Sequence, residues 1–207
     1  MTALRGRWLP LAVLVAAAAA LIASLVWVVG GVSGPSGPTT MMGGVAGEGP
    51  VRNMADADQA AGRFAGQRGL HVGEVMQFSN GYYAELLAAD GSRATEVLID
   101  PGSGTVQLES GPAMMWNTAY GMMSARDQAG AAAIGPDQAV RIADLWLREH
   151  RTGLHAGEPD RFPGYYTLHT LDGDHIVGML SVNATTGAVW YHTWHGQFLQ
   201  MQEHPDE

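Results

Sequence analysis

Two stretches of the chain share one pattern, and this pattern decides the fold. Residues 81–108 read GYYAELLAADGSRATEVLIDPGSGTVQL, and residues 164–191 read GYYTLHTLDGDHIVGMLSVNATTGAVWY. Five short matches occur in the same order at offsets of 79 to 83 residues, which indicates two diverged copies of one unit. The matches are Asp58-Gln59-Ala60 with Asp137-Gln138-Ala139, Gly81-Tyr82-Tyr83 with Gly164-Tyr165-Tyr166, Asp90-Gly91 with Asp172-Gly173, Asp100 with Asn183, and Gly104-Thr105-Val106 with Gly187-Ala188-Val189.

The second copy begins with the clearer of two predicted helices. Pro136 suits the first turn of a helix, where its missing N–H costs nothing, and Asp137 suits the positive end of the helix dipole. Three strands are predicted to follow at about 164–171, 175–182 and 187–194, because turn signals separate them. In the helix, apolar side chains recur at the spacing of one helical face, at Ala139, Ile142, Ala143, Trp146 and Leu147.

The first copy repeats this order with a weaker helix, predicted at about 56–68. Asp56 is the expected N-cap, with Gln59 three residues later. Units of roughly 60 residues bury only a modest fraction of their surface. We therefore predict an α+β fold in which two tandem helix-plus-antiparallel-β-meander units pack together. The strands of the first copy are predicted near 71–78, 82–88, 94–100 and 104–109.

Residues 9–29 form an apolar segment in which Ser24 is the only clearly polar side chain. About 20 apolar residues span the hydrocarbon layer of a membrane, so we predict one transmembrane helix. Arg5 and Arg7 precede the segment and no charge follows it until Glu48, which predicts a cytoplasmic N-terminus and an extracytoplasmic body in the cell membrane. A cleaved signal peptide is the alternative, but its apolar core would be shorter.

The segments around the two copies differ from them in composition. Residues 30–54 are rich in Gly, Pro and Ser, which is typical of a flexible tether. The predicted segments are a cytoplasmic N-terminus at 1–8, the transmembrane helix at 9–29, the tether at 30–54, the first repeat at 55–110, a Met-rich connector at 111–135, the second repeat at 136–198 and a C-terminal tail at 199–207.

Composition and motifs argue against several functional classes. The chain has no cysteine, which excludes disulfides, thiolate nucleophiles and cysteine-based zinc sites. Its net charge is -9 and all 20 acidic residues follow residue 47, so nucleic acid is not an expected partner. The sequence contains no H-E-x-x-H, P-loop or G-x-S-x-G motif, and we do not expect an enzyme.

The order of elements and the turns before the last strand of each copy resemble the PepSY domain. These turns read DPGSGTV at 100–106 and NATTGAV at 183–189, and a GYY-like strand start precedes each. The resemblance implies a cystatin-like fold, with a helix on a sheet, and a binding or regulatory module without enzymatic activity. It transfers no catalytic residue. The expected function is that of a non-catalytic, membrane-anchored, extracytoplasmic binding protein of the bacterial cell envelope.

Methionines and histidines outside the shared pattern suggest an alternative, the handling of a metal of the copper type. Thioethers favour Cu(I), and imidazole suits copper or zinc. No cofactor is required by the sequence, but these side chains would allow copper. Against this, Met also fills gaps in ordinary cores, and His192 and His195 would point to opposite faces of a regular strand unless it ends near Trp194. The candidate ligands are Met114, Met115, Met122, Met123, His192 and His195.

Aromatic side chains are concentrated in the second copy. If they lie exposed on the open face of the sheet, they would form a binding platform for a peptide or a protein partner. The alternative is an ordinary aromatic core. The candidate partner-binding residues are Tyr165, Tyr166, Trp190 and Trp194.

Overall fold

The computed structural model describes residues 44–122 and 134–203. Over these ranges the chain forms a mixed structure of helices and antiparallel strands. The elements are α1 (Met54–Gly66), β1 (His71–Phe78), β2 (Gly81–Leu87), β3 (Arg93–Ile99), β4 (Val106–Leu108), α2 (Pro112–Met115), α3 (Pro136–His150), β5 (His155–Phe162), β6 (Tyr165–Asp172), β7 (His175–Asn183), β8 (Val189–Tyr191) and β9 (Phe198–Gln202).

The strands make two antiparallel sheets, one for each copy. The first sheet has the strand order β4-β3-β2-β1-β9, and the second has the order β5-β6-β7-β8. The helix-plus-meander order predicted for each copy is therefore confirmed. Two strands were not predicted. β5 is polar and contains Gly157 and Pro159, so it lacks the alternation that marks a strand. β9 spans the predicted boundary between the second repeat and the C-terminal tail.

The N-cap of helix α1 is Asn53 and not the predicted Asp56. The Asn53 side chain accepts a hydrogen bond from the backbone N–H of Asp56 at 2.9 Å, which is the usual bond of an N-cap. Asp56 is instead the third helical residue, and its carboxylate reaches back to the backbone N–H of Arg52 at 2.9 Å. The prediction of Asp56 as N-cap was wrong because the helix starts before it, and Asn53 accepts the hydrogen bond from the free backbone N–H of Asp56 itself.

Helix α3 has the apolar face that its sequence predicts. Pro136 occupies the first turn, and the side chains of Ala139, Ala143 and Leu147 are fully buried against the second sheet. The predicted members Ile142 and Trp146 pack at the margin of the same core. The periodicity was informative because a helix on a sheet buries one face only.

The Gly-Tyr-Tyr match is displaced by one residue in the structure. Tyr82 pairs with Ile99, and Tyr166 pairs with Val182, which occupies the position equivalent to Ile99. Tyr82 therefore corresponds to Tyr166 and not to Tyr165. Since successive strand residues face opposite ways, this displacement turns Tyr165 away from α3 and towards the first sheet.

The two copies meet through the sheet faces that their helices leave open. Helix α1 covers one face of the first sheet and α3 covers one face of the second. On the opposite faces, Met76 and Tyr83 of the first copy pack with Met179 of the second. The order of layers is thus helix, sheet, sheet, helix, and the surface between the sheets is buried from both sides.

Several predicted features lie outside the described residues: the transmembrane helix at 9–29, the first part of the tether, Met123 and the rest of the connector up to residue 133. In the ranges 44–122 and 134–203, no helix has both the length and the apolar character needed to cross a membrane.

Candidate functional site

The residues that follow β4 and β8 occupy equivalent positions in the two copies. Glu109 follows β4, His192 follows β8, and the two are 83 positions apart, which is the repeat offset. Their backbone N–H groups make equivalent bonds, to the carbonyl of Glu96 at 2.9 Å and to that of Met179 at 3.0 Å. The facing sheets bring the two side chains within 3.2 Å of each other.

The chain turns after β8, which brings a second histidine to the same place. The strand was predicted to continue to residue 194, but β8 ends at Tyr191, and the amide of Thr193 bonds back to the carbonyl of Tyr191 at 2.9 Å. In a regular strand, His192 and His195 would point to opposite faces. Because the strand has ended, their ring centroids lie only 5.6 Å apart.

Glu109, His192 and His195 form the Glu-His cluster. Oε1 of Glu109 accepts hydrogen bonds from Trp194 Nε1 at 3.0 Å and from His195 Nε2 at 2.8 Å, and it lies 3.2 Å from His192 Nδ1. The side chains of Glu109 and His192 are fully buried, and that of His195 is 4% exposed. One potential ligand atom from each of the three residues lies within 4.8 Å of the other two.

Aromatic packing holds the cluster in place. The ring of His192 stacks on Trp194 at 4.7 Å between centroids, and that of His195 stacks on Phe78 at 4.1 Å. Gly111 lies beneath Trp194 with a φ of 91°, and a side chain there would come within 3.2 Å of the indole. A glycine at this position therefore allows both the turn that follows Glu109 and the close approach of Trp194.

A line of hydrogen bonds connects His192 to a second buried carboxyl group. His192 Nε2 lies 3.0 Å from Ser181 Oγ, which lies 3.0 Å from Thr167 Oγ1, and the Thr167 hydroxyl donates to Glu96. Each hydroxyl has a single proton to donate. When Thr167 donates to Glu96, Ser181 must donate to Thr167. His192 Nε2 then carries the proton that it donates to Ser181.

Two atoms of the cluster have no hydrogen-bond partner among the described residues, His192 Nδ1 and Glu109 Oε2. Nδ1 lies 3.2 Å from Glu109 Oε1, but the two atoms are not aligned for a hydrogen bond. In a neutral imidazole protonated at Nε2, Nδ1 carries a lone pair, which here faces a carboxylate. The contact becomes favourable when a cation, either a proton or a metal ion, occupies the space at Nδ1.

Glu109 is a carboxylate over the physiological pH range. Burial alone would raise its pKa, but the charge and close contact of His192, together with the hydrogen bond and charge of His195, outweigh burial and lower the pKa to about 2. A permanent negative charge in a buried position requires compensation by a nearby positive charge. This positive charge comes either from protons on the two imidazole rings or from a bound cation.

Glu96 lies in a different environment, among hydroxyl groups. It accepts hydrogen bonds from Tyr83 at 2.8 Å and from Tyr165 at 2.6 Å, one on each oxygen. Burial raises the pKa of Glu96 well above its ordinary value, and the charge of Glu109 raises it further, while the hydroxyl donors oppose both. The two buried carboxyl groups therefore differ in pKa, since that of Glu96 is raised and that of Glu109 is lowered.

The spacing of the Glu-His cluster suits a transition metal. Zinc binds imidazole nitrogen and carboxylate oxygen at about 2.0–2.1 Å, so two ligand atoms of a tetrahedral site lie about 3.3 Å apart. The separations from Glu109 Oε1, 2.8 Å to His195 Nε2 and 3.2 Å to His192 Nδ1, are close to that value. The hydrogen bond from His192 Nε2 to Ser181 would orient the ring in the way that outer partners orient metal-bound histidines.

The order Ser181, His192, Glu109 also resembles a hydrolytic triad, in which a serine, a histidine and a carboxylate are linked in sequence. A triad needs an accessible hydroxyl, and here Ser181 is fully buried and its hydroxyl also contacts Thr167 at 3.0 Å. A substrate carbonyl cannot reach Ser181 in this structure. The absence of enzymatic activity stays a prediction from the sequence.

Three of the four predicted methionine ligands lie in the described residues. Met114 and Met115 belong to α2, and the amide of Met122 bonds to the carbonyl of Met114 at 2.9 Å. Met115 is 43% exposed and Met122 is 52% exposed, so two of the three described thioethers face solvent. The side chain that meets the two predicted histidines is Glu109, which the sequence reasoning missed. The repeat offset shows that Glu109 is equivalent to His192, but it does not show that the two side chains meet.

The four predicted partner-binding aromatics have different environments. Tyr165 and Tyr166 are buried, with hydroxyl groups bonded to Glu96 and to the carbonyl of Ile134, so neither can contact a partner in this structure. Trp190 is 38% exposed and lines a shallow cavity of about 290 Å³ with Met114 and Met115. Trp194 and His195 line a groove of about 500 Å³.

A second charged cluster joins the two copies away from the Glu-His cluster. Arg93 pairs with Glu85 of its own copy and with Asp160 of the other at 2.6 Å. Burial raises the pKa of Glu85 to about 7, against the opposing effect of Arg93. His169 lies 3.4 Å from Glu74, and although burial alone would lower its pKa, the hydrogen bond and charge of Glu74 raise it.

No family model and no curated protein matches the sequence. Among solved structures, the chain is similar to the Bacillus megaterium YpeB C-terminal domain. The identity is 10%, the match covers 77% of this chain and 69% of that chain, and the TM-score is 0.28. At this TM-score the likeness carries no argument about function or detailed fold. The resemblance to the PepSY domain therefore rests on the sequence motifs and on the order of elements in each copy.

Proposed function

We propose that this chain is a non-catalytic binding protein of the bacterial cell envelope whose ligand is a divalent transition metal of the zinc or copper type. Glu109, His192 and His195 are its ligands. The observation that carries the proposal is the convergence of these three side chains. Two of them are fully buried, and each has one atom, His192 Nδ1 and Glu109 Oε2, without a hydrogen-bond partner in the part of the chain that the structure describes. Residues 9–29 would anchor this protein with its PepSY-like body outside the cytoplasm.

The ligand set favours some ions over others. Imidazole suits Zn²⁺, Cu²⁺, Ni²⁺ and Fe²⁺, and one carboxylate among two imidazoles gives a site with intermediate softness. Cu⁺ prefers thiolate and thioether ligands. Since Met115 and Met122 are largely exposed, the divalent ions fit the cluster better than Cu⁺.

The experiment is metal titration of the full chain in a mild detergent, followed by native mass spectrometry and calorimetry with Zn²⁺ and Cu²⁺. We expect one ion per chain. Glu109→Gln, His192→Gln and His195→Gln should each weaken binding by at least tenfold, because each removes one ligand of three. Binding should also weaken as pH falls, because protons compete for the imidazole nitrogens.

The matched control is His175→Gln, because His175 is exposed at the start of β7 and lies outside the cluster. It should bind the ion as the unchanged chain does. Replacement of Met114, Met115, Met122 and Met123 by Leu should likewise leave divalent binding intact. The proposal fails if no stoichiometric adduct forms, or if the methionine replacement abolishes binding while Glu109→Gln does not.

A protein or peptide partner is the second candidate, and the exposed apolar surface favours it. Met115 and Trp190 are 43% and 38% exposed and line the same shallow cavity. A photo-crosslinking amino acid at position 190 of the full chain in membranes should then capture one discrete protein. The same probe at position 145, which is 52% exposed on α3, is the control. Equal labelling from both positions would count against a partner at Trp190.

A further inference from the structure

The last described residues of the chain cross from one copy to the other. The segment 193–203, which we call the C-terminal strap, leaves the second sheet after β8 and pairs with β1 of the first sheet as β9. Between these ends, Asn80 donates to the carbonyl of Trp194 at 2.8 Å and accepts from the amide of Gly196 at 2.7 Å. The strap therefore covers the edge of β1, which would otherwise be open to pairing.

Apolar packing of β9 is confined to two half-buried side chains, Phe198 and Met201, which lie against the buried cluster between the sheets. Leu199 is 52% exposed. A five-residue edge strand with so few buried apolar groups belongs to the low-stability end of a fold. Polar contacts hold the beginning of the strap, where Trp194 and His195 bond to Glu109.

The three ligands of the Glu-His cluster come from three different parts of the fold. Glu109 follows β4 of the first sheet, His192 follows β8 and is bonded to β7 of the second sheet, and His195 belongs to the part of the strap that crosses between them. An ion held by all three would fasten the strap to both sheets at once. We infer that metal occupancy controls the docking of the C-terminal strap, an inference that rests on the function proposed above.

The size of the effect follows from mass action. An ion that binds only the docked form stabilises it by a factor of 1 + [M]/Kd. At a free ion concentration of about 100 times Kd, opening of the strap becomes about 100-fold rarer. Backbone amides that exchange with solvent only when the strap opens should slow by the same factor. Amides of Gly196 and Gln197, and that of Ser79, which bonds to the carbonyl of Gln197 at 2.8 Å, report on this opening.

The test is hydrogen exchange of the full chain in detergent, with mass spectrometry, with and without Zn²⁺ at 100 times its measured Kd. Peptides from residues 196–203 should exchange about 100-fold more slowly with the ion. Peptides from residues 164–184, in the centre of the second sheet, are the internal reference and should change much less. Native mass spectrometry of the same samples gives the occupancy independently.

Two variants separate the ion from the rest of the strap contacts. His195→Gln removes the strap's ligand together with its hydrogen bond to Glu109 and its stacking on Phe78, and the ion should then no longer slow exchange of the strap. Asn80→Ala removes two strap contacts without touching a ligand. It should speed exchange of the strap in the absence of the ion, and the ion should restore protection.

The outcomes distinguish the two proposals. If one ion binds but strap exchange changes less than about twofold, or all peptides slow equally, the strap inference is overturned and the metal function stands. If His195→Gln still shows ion-dependent protection of the strap, the inference is also overturned. If no ion binds, both proposals fall together.

Discussion

Replacement of Tyr165 by Phe tests the buried network between the sheets. The change removes one hydroxyl from a fully buried side chain and leaves its volume almost unaltered. That hydroxyl donates to Glu96 at 2.6 Å, and Glu96 is itself fully buried. A hydrogen bond to a charged group contributes about 1.5–3 kcal/mol, because the deprived acceptor cannot reach water. Tyr83 and Thr167 still donate to Glu96, so we expect a loss of about 2 kcal/mol at a pH where Glu96 is ionised.

Tyr166→Phe is the matched control, since it makes the same chemical change one residue later on the other face of the strand. The Tyr166 hydroxyl donates to the neutral carbonyl of Ile134 at 3.0 Å. A bond between neutral groups contributes about 0.5–1.5 kcal/mol. The two variants therefore differ in the charge of the acceptor rather than in burial or size.

The assay is urea denaturation of the full chain in detergent, followed by tryptophan fluorescence, together with thermal melting. A loss of about 2 kcal/mol corresponds to a fall in Tm of about 4–8 °C for a domain of this size. Because burial raises the pKa of Glu96, the cost of Tyr165→Phe should grow with rising pH as Glu96 ionises. The reasoning is refuted if Tyr166→Phe costs as much as Tyr165→Phe, or if the cost of Tyr165→Phe does not rise with pH.

Three further predictions concern stability, each measured by urea denaturation. Leu147→Ala should lower the free energy of unfolding by about 2–5 kcal/mol, whereas Leu145→Ala, at an exposed position of the same helix, should change it by no more than about 0.5 kcal/mol. Arg93→Met leaves the buried carboxylate of Glu85 without its cation, and since Arg93 itself is partly exposed the expected loss is about 1–3 kcal/mol. Burial raises the pKa of Glu85 from 4.5 to about 7, so the folded state retains a proton that the unfolded state has released, and stability should fall as pH rises from 4.5 to 7. Glu85→Gln should flatten this slope, and an unchanged slope would contradict the assignment to Glu85.

The sequence predicted the parts of the fold that local patterns control. The apolar face of α3 follows from the helical spacing of Ala139, Ala143 and Leu147, and the turn at Asn183 follows from its short polar side chain, which accepts the amides of two later residues. The N-cap of α1 was misassigned because asparagine and aspartate are both favourable N-cap residues. Only the position of the first hydrogen bond of the helix shows that Asn53 and not Asp56 is the cap.

The strand register of the tyrosines could not be predicted from the repeated Gly-Tyr-Tyr sequence. The two-residue turn before β2 is Ser79-Asn80, and the one before β6 is Pro163-Gly164, so a glycine belongs to the turn in one copy and to the strand in the other. The identical triplet therefore hides a shift of one residue. That shift decides which tyrosine reaches Glu96, which is a contact between copies and has no local signature.

The candidate site required tertiary information for the same reason. His192 and His195 were noted in the sequence, but their convergence depends on the end of β8 at Tyr191. Glu109 lies far from both in sequence and joins them only because the two sheets face each other. The repeat offset that relates Glu109 to His192 was present in the sequence, but an offset indicates equivalence and not contact. The methionines were predicted as ligands because they occur in pairs. In the structure, Met114 and Met115 belong to α2, and Met115 and Met122 are largely exposed.

The Zn²⁺-loaded full chain examined by X-ray absorption spectroscopy tests the central claim most directly. A site made by Glu109, His192 and His195 predicts nitrogen and oxygen scatterers at about 2.0–2.1 Å, with the multiple-scattering pattern of two imidazole rings and no sulfur at about 2.3 Å. His195→Gln should reduce that pattern to one imidazole or abolish binding. A sulfur shell, or an imidazole count that His192→Gln and His195→Gln leave unchanged, would contradict the account.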